Sequence, residues 1–235
     1  MLFSLSPLAA GLGAVLALSA ANYAANHLAP RHPRFVYAFA VVFLAGTVIP
    51  VLALQALARA GALDVQALAF SLWPLGLGLT AGLAFVGLSL RGEPAAQWRR
   101  LPKLLIALFA PSLAEVLVFV GIVFSLTQYF AAPWLGRPAA TAAAIAATSL
   151  SFGLYHLSHA APWNSLRLVR ILLIVWLLIG GFYAATGNLW STALLNTALA
   201  AVGFVKNRVM RPEEQSFAIL IALDVAAVAV VLAIL

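Results

Sequence analysis

The chain alternates long apolar runs with short polar punctuation. Eight runs approach the roughly 20 residues that an α-helix needs to cross a bilayer. They are about 4–27, 35–58, 67–90, 104–127, 139–160, 168–186, 189–205 and 216–235. Between them lie PRHPR (30–34), ARAGALDVQ (58–66), RGEPAAQWRRLPK (91–103), APWLGRP (132–138), APWNSLR (161–167), TGN (186–188) and KNRVMRPEEQ (206–215). Runs this long exceed ordinary strands, so the expected fold class is all-α: a polytopic integral membrane protein of about eight transmembrane helices. TGN leaves almost nothing between the sixth and seventh runs, which predicts a tight helical hairpin. No linker, low-complexity tract or internal repeat interrupts the pattern, and residues 1–235 read as a single transmembrane domain.

Composition agrees: 65% of the residues are apolar and 8% charged. Soluble domains carry about 25% charged residues, so this chain has too few to cover a water-facing surface, and membrane lipids are its first partners. The net charge of +7 does not call for nucleic acid, because basic residues of membrane proteins gather in the loops that stay inside. With eight spans, one side holds Arg31, Arg34, Arg91, Arg99, Arg100, Lys103, Arg167, Arg170, Lys206, Arg208 and Arg211, while the other holds Arg59 and Arg137. That asymmetry places both termini outside the cytoplasm. MLFSLSPL lacks the basic start of a signal peptide. The Ala- and Leu-rich composition points to a bacterial inner membrane, and the absence of cysteine excludes disulfides and thiolate chemistry.

Ionisable groups inside the spans then carry the chemistry, since each is costly in lipid and tends to face a cavity or a partner. Glu115 sits in AEVLVFVG, about eleven residues into the fourth run and one turn after Pro111. Proline cannot donate to the carbonyl of Ala107, so a kink there would open a small wet pocket beside the acid. On the fifth run Phe152, His156 and His159 share one helix face, which Ser149 extends. Burial should raise the Glu115 carboxyl towards the range useful for a general acid or base, and a neutral His156 can hydrogen-bond a substrate carbonyl or water; Phe152 and His159 are expected to touch substrate. His159 also reads as an interfacial histidine near Pro162. Glu115, His156 and His159 form a trio that zinc could use, although no metal or other cofactor is the favoured reading. By the span boundaries His156 lies roughly 9 Å shallower than Glu115 at 1.5 Å per residue, a gap that tilt or displaced boundaries must close. Asn196, in the seventh run, reads as an oxyanion donor or as interhelical glue. Asp224 in the last run is expected to pair with a neighbouring helix. His27 and His32 look interfacial, and Gly78 with Gly82 form a close-packing step.

These residues together resemble the CPBP family of intramembrane proteases, which includes the Rce1-type CAAX prenyl protease and bacterial Abi relatives. The family carries EExxxRG on one helix, FxxxH on the next and a later HxxxN. Glu115 to Gly121 follow the first motif with Phe119 in its aromatic place, Phe152 and His156 match the second, and Asn196 and Ala200 stand at the third. The similarity covers about residues 104–205. It implies an endopeptidase that cleaves a membrane-associated protein or peptide, with Glu115 activating a water held by His156 and Asn196 holding part of the oxyanion. Val116, Val120, Asn196 and Ala200 depart from the family pattern. A scaffold that has lost catalysis and escorts another membrane protein is the alternative.

Overall fold

Backbone amides in hydrocarbon have to be satisfied within their own segment, and each apolar run accordingly folds as a helix. The computed structural model describes residues 7–23, 35–159, 164–207 and 217–234. Its helices are α1 (Pro7–Tyr23), α2 (Phe35–Arg59), α3 (Leu72–Ser89), α4 (Ala95–Glu115), a π-helical stretch (Val116–Phe124), α5 (Ser125–Tyr155), α6 (Leu166–Thr186), α7 (Leu189–Asn207) and α8 (Phe217–Ile234). Short 3₁₀ turns occupy Val65–Leu68 and His156–Ser158. All regular structure among the described residues is helical, as the runs predict. His27, His32, Arg31, Arg34, Arg208 and Arg211 lie outside the described residues.

Four continuous stretches among the described residues are long and apolar enough to cross a membrane: Leu72–Ser89, Ala95–Ser158, Leu166–Thr186 and Leu189–Lys206. Pro7–Tyr23, Thr47–Arg59 and Asp224–Ala233 are apolar but shorter. Each of the eight expected runs is thus represented by helix, while full spanning length is reached by these four stretches. Apolar side chains also cover the outside. Leu72, Leu88 and Trp134 are 83%, 76% and 87% exposed, which water would disfavour and lipid does not.

The expected loop at 132–138 is mostly helix. Helix extends from Ala95 through the π-helical stretch into α5, breaks at Gly136 (φ 74°, ψ 161°) and resumes to Tyr155. A left-handed φ of this kind strains any residue with a Cβ. Gly136 is therefore the vertex of a long helical hairpin, with one arm ending at 135 and the other beginning at 137. The basic segment expected as a loop at 91–103 likewise contributes the first turns of α4.

Small residues set how closely the other helices pack. Gly78 and Gly82 face α7, and a Cβ at Gly78 would strike the backbone of Ser191. Gly78→Ala should therefore push α3 off α7 and cost about 1–3 kcal/mol, the usual range for overpacking. Gly76→Ala, where a Cβ meets nothing within 4 Å, should leave thermal unfolding in detergent unchanged; equal melting temperatures for the two variants would refute the close-packing role. The α6–α7 hairpin closes on Gly187 in the left-handed conformation, its N–H donating to the Tyr183 carbonyl at 2.7 Å. Asn188 then ties the hairpin down: its Oδ1 accepts from Ser191 N–H at 2.9 Å and its Nδ2 donates to the Ala69 carbonyl at 2.9 Å.

Candidate active site

Glu115 is the last residue of α4, where the backbone passes into π-helical turns. Such turns interrupt the i→i+4 ladder and occur often at functional sites. The residues that follow pack inward: Val116, Val118, Phe119, Val120 and Ile122 are all fully buried. Val116 and Val120 belong to the apolar core, so the positions where the resemblance would place an acid and an arginine are occupied by packing. Glu115 itself is only partly buried. Its carboxylate accepts from Asn196 Nδ2 of α7 at 3.2 Å.

The hairpin brings the acid to the imidazoles. Glu115 lies 21 residues before Gly136 and His156 lies 20 after it, so two antiparallel arms of nearly equal length set them level. One side-chain ligand atom from each of Glu115, His156 and His159 lies within 4.8 Å of the others. The depth mismatch drawn from the span boundaries disappears once both residues are measured from their shared vertex.

An aromatic floor fixes the imidazoles. Phe152, 3% exposed, stacks on Trp176 of α6 with centroids 3.6 Å apart and 16° between planes. Phe119 meets Phe152 edge-on at 5.4 Å and Trp176 at 5.7 Å. Above that floor sits His156, 4.3 Å from the Phe152 ring. Phe152, the residue expected to touch substrate, packs beneath His156. His156 Nδ1 lies 3.1 Å from the Phe152 carbonyl. A carbonyl only accepts, so Nδ1 carries the proton and Nε2 of the neutral ring presents a lone pair.

α5 ends at Tyr155, and the 3₁₀ turn His156–Ser158 follows. Residues three apart eclipse in such a turn, and His159 at its C-terminal cap stacks on His156 with centroids 4.2 Å apart and 4° between planes. His159 is partly buried within the cluster. Tyr155 stands edge-on to both imidazoles, at 5.3 Å and 4.9 Å, with its phenol in electrostatic reach of the Glu115 carboxylate. From α1, Asn22 contacts Ser158 Oγ and His159 Nδ1, each at 3.0 Å.

Asn22, Tyr155 and Trp176 are not singled out by the sequence reading. A signal for Asn22 exists, since an amide inside an apolar run is the same cue that marks Asn196. Tyr155 and Trp176 carry no such mark among the aromatics of the chain. Ser149 donates to the Leu173 carbonyl at 2.6 Å and faces α6 rather than the site. Asp224 pairs with a neighbouring helix, as expected, through a backbone amide: its Oδ1 accepts from Ala110 N–H of α4 at 3.1 Å.

The site therefore offers a carboxylate, an imidazole lone pair and amide hydrogens around one partly open point. That donor set can position a water, take its proton and hold a developing oxyanion. Glu115, His156 and His159 also have the residue types and proximity to hold a metal ion.

Residues 97–202 match the family model described as Type II CAAX prenyl endopeptidase Rce1-like. The resemblance carried by the motifs is thereby borne out over that segment, which contains Glu115, His156, His159 and Asn196. No curated protein and no solved structure matches the chain.

Proposed function

Because residues 97–202 match the Rce1-like family model, we propose that this chain is an intramembrane endopeptidase that cleaves a membrane-associated protein or peptide. The observation that carries the reading is the convergence of Glu115 with His156 and His159 within 4.8 Å, while Asn196 holds the carboxylate. In this reading one water sits between Glu115 and His156 Nε2. As the water oxygen bonds to the scissile carbonyl carbon, its proton passes to Glu115. The carbonyl oxygen becomes an oxyanion and takes a hydrogen bond from the second N–H of Asn196 Nδ2. Collapse breaks the C–N bond, and Glu115 returns its proton to the leaving nitrogen. No metal ion takes part.

The same reading keeps about eight membrane crossings, a bacterial inner membrane and both termini outside the cytoplasm. The experiment that tests it compares the membrane proteomes of cells carrying the wild-type chain, Glu115→Gln or His156→Ala. An uncut membrane protein should accumulate with both variants and be processed by the wild type. If both variants are present at wild-type level and no protein accumulates, the chain is an escort or scaffold rather than a hydrolase.

A further inference from the structure

Asp224 places a carboxyl group near the middle of α8, where lipid makes it costly and a function is the usual reason for keeping it. Its Oδ1 accepts from Ala110 N–H of α4 at 3.1 Å. Inside an α-helix that N–H ordinarily points at the carbonyl four residues back, here Ile106. A side chain inserted into this ladder bends a helix, and so does proline. In α4 the two devices adjoin, because Pro111 follows Ala110 directly and leaves the Ala107 carbonyl without its N–H. Leu105, Ile106 and Phe109 line a cavity of about 260 Å³ that Asp224 also borders. Packing leaves space beside this turn, and a polar bond ties α4 to α8 across it.

Glu115 is the group that depends on this turn. It follows Ala110 by five residues, about 7.5 Å along the axis at 1.5 Å per residue, and π-helical turns begin at Val116. The acid thus occupies a short helical piece whose hydrogen-bond ladder is interrupted at both ends. Such a piece takes its position from what holds it sideways. Asn196 of α7 holds the carboxylate, and Asp224 of α8 holds the Ala110 N–H. We infer that Asp224 is a positioning residue for Glu115, fixing the course of α4 along which the carboxylate meets His156; the inference rests on the hydrolase reading above. The contact uses an accepting oxygen, which a carboxyl group has whether charged or neutral, so the role needs no ion pair. Without that oxygen the Ala110 N–H still has the Ile106 carbonyl to point at. No buried donor is stranded, so the fold persists while the piece bearing Glu115 shifts. Asp224 lies outside the matched segment, residues 97–202, and α8 thereby acts on a site to which it contributes no reacting group.

The test compares Asp224→Leu with Asp224→Asn in the full chain in lipid nanodiscs, on the membrane protein that accumulates with Glu115→Gln. Leucine is close to aspartate in shape but accepts no hydrogen bond, whereas asparagine keeps an accepting oxygen. Asp224→Leu should lower kcat about 100-fold, the effect of misplacing a reacting group by about 1 Å. KM and the unfolding temperature should stay near their wild-type values. Asp224→Asn should keep most of the wild-type kcat, which separates the hydrogen bond from the charge. Added to Glu115→Gln, Asp224→Leu should cost nothing further, because the acid that it positions is already gone. Wild-type kcat in Asp224→Leu overturns the inference, as does an Asp224→Asn chain equally slow. So does the full loss repeated on top of Glu115→Gln. A chain that cannot fold with Asp224→Leu overturns it too, since Asp224 would then be holding the bundle rather than the acid. All these failures leave Glu115→Gln impaired, whereas failure of the hydrolase reading itself appears as an inert Glu115→Gln substitution.

Discussion

Glu115→Gln is expected to lower kcat by about 10²–10⁴, the span that general acid–base catalysis supplies, with KM close to the wild-type value. Glutamine keeps the length and shape of the side chain, and its carbonyl oxygen can still accept from Asn196 Nδ2, now 3.2 Å from the carboxylate. The helix contacts around it are apolar and do not depend on the charge: Ala114 and Val116 are both fully buried. What disappears, in the proposed mechanism, is the group that takes the water proton, and that proton moves only as the transition state forms. An interaction lost only there reduces kcat and kcat/KM together. Purified wild-type and variant chains, assayed on the accumulated substrate, give the comparison directly. A Glu115→Gln chain that turns over at the wild-type rate would remove Glu115 from the chemistry.

Trp176→Ala should produce the largest loss of stability. The indole is 1% exposed and stacks at 3.6 Å on Phe152, with Phe119 meeting it edge-on. Truncating a buried tryptophan typically costs about 3–5 kcal/mol in water-soluble proteins. Inside a membrane protein the transfer contribution weakens, because lipid tails are as apolar as the core, but the cavity and the lost dispersion contacts remain. A loss of about 3 kcal/mol, the lower end of that range, is therefore expected, read as a lower unfolding temperature in detergent. Activity should fall further than stability alone explains. Removing the indole frees the Phe152 ring, and the Phe152 carbonyl is what holds His156 Nδ1. Trp176→Phe, which keeps a stacked ring, should recover most of both; a Trp176→Ala chain as stable and active as the wild type would show that the floor has no such role.

Part of the site's chemistry is legible in the sequence. Glu115, His156 and Asn196 stand out because each is a polar group in a run that otherwise avoids them, and the fold brings all three together. Gly78 and Gly82 are legible as a packing step for a related reason, since absence of a side chain is itself a signal of close approach. Helix ends are harder to read. An apolar run shows where lipid begins, not where helix begins, so the basic turns of α4 and the turns up to Gly136 resemble loops. The apparent depth gap between Glu115 and His156 comes from that ambiguity. Phe152 shares a face with His156, but a shared face says nothing of what packs on it, and the stack with Trp176 comes from the fold.

Composition and run length by themselves determined an all-helical membrane chain, and residue type picked out an acid, two imidazoles and an amide as candidates for its site. Those properties follow from transfer energies of single residues and short windows, which need no knowledge of partners. Only the tertiary structure decided that Gly136 is the hairpin vertex, that the two histidines stack, and that Asn22 reaches them from α1. Each of these depends on residues far apart in the chain, and the direction of a hydrogen bond is settled by the neighbour that receives it.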